Sequence, residues 1–339
     1  MTDLGPVRAG TGSATTEPAI LARGLTKRFG DLIAVNAVDL EIHRGEVFGF
    51  LGPNGAGKST TIRMLCGILD PTAGEARVLG YDVRRDPEAL KARLGYMSQR
   101  SSLYADLTVI EQLDFYARIY GLDPATREAK VRDWIETAGL TGRESDLVST
   151  LSGGWRQRLA LGAAVMHHPD LLLLDEPTSG VDPLSRREFW ELIYRFADAG
   201  TTIMVTTHYM DEAEHCDRLA FIYGGRIVAS GAPAEIKRTH LKGELLRVRC
   251  DDWMRAFDHL RASPLVRDAA LYGTAIHALV DDAAGARGPL LAALEASGVG
   301  VLEIVPIAPT LEDIFVAIVD RPAAGAAGQG DRGGGVPHG

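Results

Sequence analysis

Cysteine is scarce in this 339-residue chain, and its sequence contains no long apolar run. The three cysteines, Cys66, Cys216 and Cys250, are far apart and lack metal-ligand spacing, which fits a reducing compartment. No apolar stretch approaches the roughly 18 residues that are needed to span a bilayer. The first 18 residues are polar and rich in glycine and threonine, unlike a signal peptide. We therefore expect a cytosolic protein.

An excess of basic residues is missing as well. Lysine and arginine number 36 against 45 aspartate and glutamate residues, so the formal net charge is −9. The molecule as a whole has no electrostatic reason to coat nucleic acid, and we expect no nucleic-acid partner. What is present is an ordinary globular composition, 46% hydrophobic and 24% charged, at a length that suits about two domains.

Hydrophobic periodicity divides the chain into several parts. From 19 to 242, short apolar strands alternate with helical patterns, which predicts an α/β domain around a largely parallel sheet. Within it, residues of about 100–168 are mostly helix-like and suggest an inserted helical subdomain. Residues 243–320 follow a β-α-β-β-α-β order, which predicts a small ferredoxin-like α+β domain. The two ends, 1–18 and 321–339, lack apolar periodicity and are predicted to be disordered tails.

Two helices of the C-terminal domain are singled out by local signals. One is predicted over Gly288–Ala296. The last covers Thr310–Val319, where Thr310 and Asp313 form a capping box and an apolar face extends over Leu311–Ile318. That face is interpreted first as core and second as a subunit interface. No catalytic constellation is found in this domain.

The most informative motif is the run from 52 to 60. It comprises Gly52, Pro53, Asn54, Gly55, Ala56, Gly57, Lys58, Ser59 and Thr60. An apolar strand at Val47–Leu51 precedes it and a helical pattern at Thr61–Leu69 follows, which is the setting of a P-loop. The glycines let backbone N–H groups turn around phosphate oxygens. Lys58 supplies positive charge to the outer phosphates, and the Ser59 hydroxyl suits Mg²⁺, so we expect nucleoside triphosphate binding.

Two adjacent carboxylates end a second apolar strand. The leucines at 171–174 predict a buried strand that leads directly into Asp175 and Glu176, where a doubly wound sheet presents its ligand site. Successive strand residues point in opposite directions, so one carboxylate can bind Mg²⁺ while its neighbour reaches the attacking water. We assign Asp175 to the metal and Glu176 to the general base. The alternative is a solvated strand end.

A third motif, Leu151–Gly154, immediately precedes a helical pattern at Trp155–His167. Ser152 therefore stands where a hydroxyl and free backbone N–H groups cluster, which predicts a second anion site. The alternative is a helix N-cap with a flexible loop. Two phosphate-binding segments that are distant in one chain suggest that they meet across a dimer.

Taken in order, these motifs resemble those of ABC transporter ATPases. The set comprises the P-loop, Gln99, Leu151–Gly154, Asp175–Glu176, Ser179–Asp182 and His208, and the resemblance covers about residues 19–242. It implies that ATP and Mg²⁺ are held between two nucleotide-binding domains, most simply two copies of this chain. It also implies that Ser152, Gly153 and Gly154 serve the partner's nucleotide.

The resemblance implies roles for four further residues. Gln99 would join the Mg²⁺ and water network and signal to the helical subdomain. Asp182 would couple the two sites, and His208 would hold the γ-phosphate and the attacking water. Phe29 would stack on adenine, since an extended π face suits a purine, although core packing is the alternative for this aromatic residue.

One residue departs from the common family pattern, because Trp155 stands where most members have glutamine. This change puts in doubt the polar contact of that position. An aromatic residue here, together with Ser179–Pro183 and Pro309–Phe315, is similar to a branch of multidrug-type (ABC-2) exporter ATPases. The resemblance therefore favours the ATPase of an exporter of small drug-like or lipid-like molecules over an importer.

The implied assembly includes a separate polytopic membrane permease subunit, which would hold the ATPase at the inner face of the cell membrane. Its docking surface is expected on the helical subdomain at Leu103–Tyr120. A DNA-repair or chromosome ATPase is disfavoured, because Gln99 and Ser152 are only 53 positions apart and no sustained heptads are present. A translation-associated member is disfavoured by the single P-loop and the single Ser-Gly-Gly segment.

Overall fold

The structure, a computed structural model, describes residues 17–99 and 103–319. The chain divides into two compact units, Met1–Pro233 and Ala234–Gly339. Apart from residues 17 and 18, the predicted tails lie outside the described residues. Among the described residues, no helix is both long and apolar enough to cross a membrane.

The elements of the first unit alternate along the chain. Its strands are β1 (Ile20–Phe29), β2 (Leu32–Ile42), β3 (Val47–Leu51), β4 (Ala73–Val78), β5 (Tyr81–Asp82), β6 (Leu94–Met97), β7 (Leu171–Asp175), β8 (Thr202–Thr207), β9 (Arg218–Tyr223) and β10 (Arg226–Gly231). Its helices are α1 (Lys58–Leu65), α2 (Pro87–Lys91), α3 (Val109–Ile119), α4 (Pro124–Thr137), α5 (Gly153–Val165) and α6 (Pro183–Asp198), and α7 (Pro233–His240) follows at the boundary.

A six-stranded sheet in the order β10-β9-β3-β8-β7-β6 forms the centre of this unit. All neighbouring pairs are parallel except β9 and β10, which confirms the predicted largely parallel sheet. Strand β7 shows why its sequence is continuously apolar. Leu171 and Leu173 pack into the core on one face, whereas Leu172 and Leu174 pack into the core on the other.

A second, antiparallel sheet in the order β2-β1-β4-β5 shares a core with α1 and one face of the central sheet. The sequence patterns did not predict it. Strands β1 and β2 contain several register shifts, for example between Ala22 and Leu25, and these interrupt the two-residue period on which strand prediction depends.

The opposite face of the central sheet is covered by helices. Residues of α3, α4, α5 and α6 form one core with Leu172 and Leu174. The sequence patterns predict three helices in this subdomain, at Glu111–Tyr120, Thr126–Ala138 and Trp155–His167. All three are confirmed, and each begins two residues earlier than its pattern indicates. The start of α3 is fixed by a capping box between Thr108 and Glu111.

The second unit is built on an antiparallel sheet in the order β12-β13-β11-β14. Its elements are β11 (Glu244–Cys250), α8 (Trp253–Ala262), β12 (Val266–Tyr272), β13 (Ala275–Val280), α9 (Ala283–Ala296), β14 (Val301–Ile307) and α10 (Leu311–Val319). Residues from both α8 and α9 join one core with Leu246, Val248 and Ile276. The β-α-β-β-α-β order of the sequence pattern is therefore present.

The two helix predictions in this unit had different outcomes. The start of α9 at Gly288 was wrong, because Asp282 caps the helix by accepting a hydrogen bond from Ala284 N and leaves Pro289 inside it. The capping box of α10 is confirmed by reciprocal hydrogen bonds between Thr310 and Asp313. On its apolar face, Leu311 and Ile314 are buried.

Candidate nucleotide site

The loop between β3 and α1 is shaped by its glycines. Gly55 and Gly57 have φ angles of +81° and +109°, in the region that favours glycine. A Cβ atom on Gly52 would lie 2.2 Å from the carbonyl oxygen of Ile222, and one on Gly57 would lie 2.5 Å from that of Ala34. The loop is thus pressed against β9 and β2, and it ends at the N-terminus of α1.

Lys58 lies over this loop with only 4% of its surface exposed. Its ammonium group donates hydrogen bonds to the carbonyl oxygens of Gly52 at 2.7 Å and Pro53 at 3.2 Å. Glu176 Oε1 lies 3.0 Å from the same nitrogen. The positive charge of the P-loop is therefore held between the loop backbone and the carboxylate that directly follows β7.

Asp175 lies on the same face of the central sheet as α1. Side chains alternate between the two faces along a strand, so Asp175 shares the face of Leu171 and Leu173, which pack in the core that contains α1. Its Oδ1 atom accepts a hydrogen bond from the Ser59 hydroxyl at 3.1 Å. Burial raises the pKa of this carboxyl group, although hydrogen bonds from Thr206 and Ser59 oppose the shift. Two oxygen donors suited to a hard cation are thus adjacent.

Three of the predicted side chains, those of Lys58, Gln99 and His208, meet at Glu176. It is 5% exposed, and besides Lys58 it accepts a hydrogen bond from Gln99 Nε2 at 3.0 Å. His208 Nδ1 lies 3.3 Å from Glu176 Oε2. The solvated strand end that was the alternative for this pair of carboxylates is wrong, since both are buried.

Thr206 is a residue of this site that the sequence analysis missed. It lies beside Asp175 on β8, donates a hydrogen bond to Asp175 Oδ1 at 2.8 Å, and accepts one from Glu176 N at 3.0 Å. The available signal was weak, because Thr206 is one of three threonines in a strand whose other residues are apolar. It could be interpreted only once β7 and β8 were known to be neighbours.

A second missed group connects the loops that follow β7 and β8. Glu212 is 1% exposed and accepts a hydrogen bond from the Thr178 hydroxyl. Arg186 Nε lies 3.5 Å from the same carboxylate, and its guanidinium group lies 4.0 Å from the centre of the Tyr209 ring. The segments containing Asp182 and His208 are thereby tied together.

The Ser152–Gly154 segment forms the start of α5. Ser152 is exposed at the N-cap position, and among the described residues its side chain makes no capping hydrogen bond to the helix. Gly154 is required by packing, because a Cβ atom there would lie 2.6 Å from the hydroxyl oxygen of Ser185. The segment therefore packs closely on the first turn of α6.

Asp182 caps that same helix α6. Its Oδ1 atom accepts a hydrogen bond from Ser185 N at 3.0 Å, and this bond holds the pKa of the carboxyl group below its usual value. Since Gly154 also packs on Ser185, the structure brings Asp182 and the Ser152–Gly154 segment to one place. Capping of α6 is thus one role of Asp182 that the structure shows directly.

Trp155 is held between two guanidinium groups. Arg143 lies 5.0 Å and Arg158 lies 4.7 Å from the centre of its ring. Arg158 also donates a hydrogen bond to the carbonyl oxygen of Ala138 at 3.1 Å and pairs with Glu188. The aromatic residue therefore braces α5 against the end of α4, which glutamine could do only by hydrogen bonding.

Phe29 ends β1 and is 48% exposed, so core packing is the wrong explanation for this residue. Lys27 Nζ lies 5.3 Å from the centre of its ring. Phe29 lies at the turn of the hairpin that β1 forms with β2. Strand β2 approaches Gly57 of the P-loop at Ala34, so this hairpin lies next to the P-loop. Of the remaining P-loop residues, Ala56 is buried, Asn54 is exposed and Thr60 is half-buried on α1.

The fold and this site define a P-loop nucleotide-binding protein with a helical subdomain. The ABC transporter family model matches residues 35–179. The probable multidrug ABC transporter ATP-binding protein YbhF of Escherichia coli K12 is 50% identical over 221 residues, which are 65% of this chain and 38% of that protein. The Nod factor export ATP-binding protein I of Cupriavidus pinatubonensis is 39% identical, with 90% and 93% of the two chains covered.

A solved structure of an ATP-binding subunit of an ABC transporter has a TM-score of 0.60 and 30% identity, covering 65% of this chain and 92% of its own. The chain belongs to the family of ABC transporter ATP-binding proteins. It spans 38% of the length of the Escherichia coli relative and nearly all of the Cupriavidus relative.

Proposed function

We propose that this protein hydrolyses ATP and uses the energy to drive export through a separate membrane subunit. The observation that carries the proposal is the convergence of Lys58, Gln99 and His208 on the buried carboxylate of Glu176. The cation of the phosphate-binding loop and the carboxylate that follows β7 are thereby in direct contact, with 3.0 Å between Lys58 Nζ and Glu176 Oε1. Such an arrangement suits hydrolysis of a bound triphosphate better than storage of it.

The residues present fit a magnesium ion that is shared with the nucleotide. Ser59 and Asp175 offer adjacent oxygen atoms, and Gln99 contributes an amide at the same edge of the sheet. In the described part of the chain, no cluster of three acidic, histidine or cysteine side chains could hold a metal alone. This composition suits Mg²⁺, which usually takes one or two protein ligands and completes its shell with phosphates and water. When bound, Mg²⁺ would neutralise charge on the phosphate oxygens.

The chain's own groups divide the remaining work. Backbone N–H groups of residues 52–60 and Lys58 would hold the phosphates, while the exposed face of Phe29 would stack on adenine. Glu176 would accept a proton from the attacking water, with Gln99 and His208 orienting the carboxylate and the water. General-base help of this kind is worth typically about 10²- to 10⁴-fold in rate.

Completion of the site would need a second copy of the chain. The exposed Ser152 hydroxyl and the N–H groups of Gly153 and Gly154 stand at a helix start, where they can donate hydrogen bonds to phosphate oxygens of the partner's nucleotide. Asp182 lies on the helix against which this segment packs, so it is placed to sense the partner. ATP would stabilise the closed homodimer because it contacts both chains only in that state.

Export, rather than import, is supported by the functions named for the two relatives, multidrug transport and Nod factor export. The transported class would be a small drug-like or lipid-like molecule. We place the protein on the cytoplasmic side, peripheral on the inner face of the cell membrane and bound to a polytopic permease.

The docking surface proposed for that permease lies on the helical subdomain. Tyr104, Ile110 and Leu147 are exposed there. The backbone segments that contain Ile110 and Leu147 are joined by a bridge between Thr108 and Leu147 and by a hydrogen bond from Ile110 N to the carbonyl oxygen of Glu144. A cysteine at Ile110 should cross-link to the membrane subunit, whereas one at the exposed Glu88 should not. All three native cysteines are buried, so labelling should report the introduced residue.

The experiment that tests hydrolysis is Glu176→Gln. The variant should bind ATP and accumulate as an ATP-dependent dimer in size-exclusion chromatography, with turnover reduced at least about 100-fold. Glu128→Gln, at an exposed position on α4, is the matched control and should behave as the wild-type protein. Turnover at the wild-type rate in the Glu176 variant would refute the assigned base, and no ATPase activity in the wild-type protein would refute the proposed function.

A further inference from the structure

The hydroxyl group of Thr206 touches both acidic residues of the site. Thr206 is fully buried on β8, directly beside Asp175 in the parallel sheet. Its Oγ1 atom lies 2.8 Å from Asp175 Oδ1 and 3.0 Å from Glu176 N. This single hydroxyl group thus links the two acidic residues through hydrogen bonds.

The direction of the hydroxyl proton follows from the partners of Oγ1, because the competing acceptor, the carbonyl oxygen of Leu174, lies at 3.5 Å and Asp175 Oδ1 at only 2.8 Å. A hydroxyl has one proton to donate and two lone pairs that accept, and the Asp175 carboxylate can only accept when ionised. The proton therefore points to Asp175, and a lone pair is left facing Glu176 N. Polarisation by the carboxylate makes that lone pair a better acceptor, so the two bonds strengthen each other.

Glu176 has a backbone conformation that needs such support. Its φ angle is +49°, in the left-handed region that costs a residue with a side chain about 1–2 kcal/mol. Its N–H is held by two acceptors of one residue, Thr206 Oγ1 at 3.0 Å and Thr206 O at 3.1 Å. This pair of bonds fixes the peptide plane from which the Glu176 side chain turns toward Lys58 and Gln99.

We propose that Thr206 is a positioning residue for hydrolysis, because its hydroxyl group, oriented by Asp175, sets the place from which the Glu176 carboxylate acts on water. The inference rests on the proposed ATPase function. It assigns to Thr206 no contact with nucleotide or metal, so nucleotide affinity should not depend on its hydroxyl.

Thr206→Val removes the hydroxyl while keeping the shape of the side chain. The fold should tolerate it, because Asp175 keeps its bond from Ser59 and Glu176 N keeps its bond to the backbone oxygen of residue 206. The matched control is Thr202→Val at the other end of the same strand, where a buried hydroxyl accepts a hydrogen bond from Gly45 N at 3.0 Å. That position is about 13 Å away along the strand.

Steady-state kinetics, binding of a fluorescent ATP analogue in the presence of EDTA, and thermal unfolding should be measured for each variant. Thr206→Val should lower kcat about 10- to 100-fold with analogue affinity within about twofold of wild type. Thr206→Ser should restore kcat to within about threefold, and Thr202→Val should leave it unchanged. In single turnovers, the loss from Thr206→Val should shrink when Glu176 is already glutamine, since no base remains to be positioned.

Three results would overturn the inference: unchanged kcat in Thr206→Val, a loss in Thr206→Ser as large as in the valine variant, or an equal loss with and without Glu176. If the valine variant unfolds at a much lower temperature than Thr202→Val, the comparison between Thr206→Ser and Thr206→Ala decides, and equal kcat in these two refutes the role. An inactive wild-type protein would refute the proposed function itself, whereas an active wild type with these results refutes the positioning role alone.

Discussion

Replacing Lys58 by methionine should destabilise the first compact unit more than replacing Glu176 by glutamine, although the two side chains form one buried pair. Their exposed fractions are 4% and 5%, and their charged atoms are 3.0 Å apart. Removal of one partner from a buried pair leaves the other charge unpaired and costs about 3–5 kcal/mol. The two removals differ in what they leave behind.

Without Glu176, the Lys58 ammonium group keeps the carbonyl oxygens of Gly52 and Pro53 as acceptors. Without Lys58, the Glu176 carboxylate keeps only the Gln99 amide and the nearby His208 ring among the described side chains. We therefore expect about 3 kcal/mol of lost stability for Lys58→Met and less for Glu176→Gln. For a unit of this size, about 3 kcal/mol corresponds to a fall in Tm of about 6–12 °C.

The double variant gives the decisive comparison. With a methionine and a neutral glutamine, neither charge remains buried, so the double variant should be more stable than Lys58→Met alone. Urea unfolding followed by tryptophan fluorescence measures all four proteins, and Trp134 and Trp190 report on the first unit. If the double variant is less stable than Lys58→Met, the unpaired charge of Glu176 is not the cause of the stability lost in Lys58→Met.

Three further changes have defined outcomes. Gly162→Ala should cost about 2–3 kcal/mol of unfolding free energy, because its Cβ would lie 1.7 Å from Nε1 of the buried Trp134 ring. Phe29→Ala should weaken binding of ATP by about 5- to 10-fold in a fluorescence titration, since about 1 kcal/mol of stacking is lost, and Phe29→Tyr should not. Asp313→Asn should cost about 1–3 kcal/mol at pH 7, because the carboxylate holds both the capping box of α10 and a 2.7 Å contact with His277.

The last of these costs should depend on pH. Burial acts to raise the pKa of Asp313, but hydrogen bonds from Thr310 and His277 outweigh it and hold the pKa below its usual value. The stabilisation is therefore complete above about pH 4 and declines as pH falls further, so the difference between wild type and Asp313→Asn should shrink in acid. A difference that grows in acid would contradict this reasoning.

For Gly162→Ala, the control is Gly288→Ala on the exposed side of α9, which should stabilise that helix by about 0.5–1 kcal/mol.

Local sequence was sufficient wherever the chemistry depends on neighbouring residues. The P-loop could be recognised because Gly52, Gly55 and Gly57 must accommodate close backbone approach or positive φ, and the lysine follows them directly. The four leucines of β7 and the acidic pair after them likewise predicted a buried strand that ends at the ligand edge of a parallel sheet. Periodicity also gave the type and order of most helices, though not their first turns.

Relations between distant segments were decided by the tertiary structure, because a side-chain pattern does not contain the identity of its neighbour in space. Only the pairing of β7 with β8 placed Thr206 between Asp175 and Glu176. Only packing showed that Phe29 is exposed while Glu212 is buried beneath Arg186. The sequence by itself thus determined that a triphosphate-binding loop and an acidic pair exist in this protein. Sheet order, which depends on contacts between residues far apart in the chain, decided that they meet at Glu176 and which residues support it there.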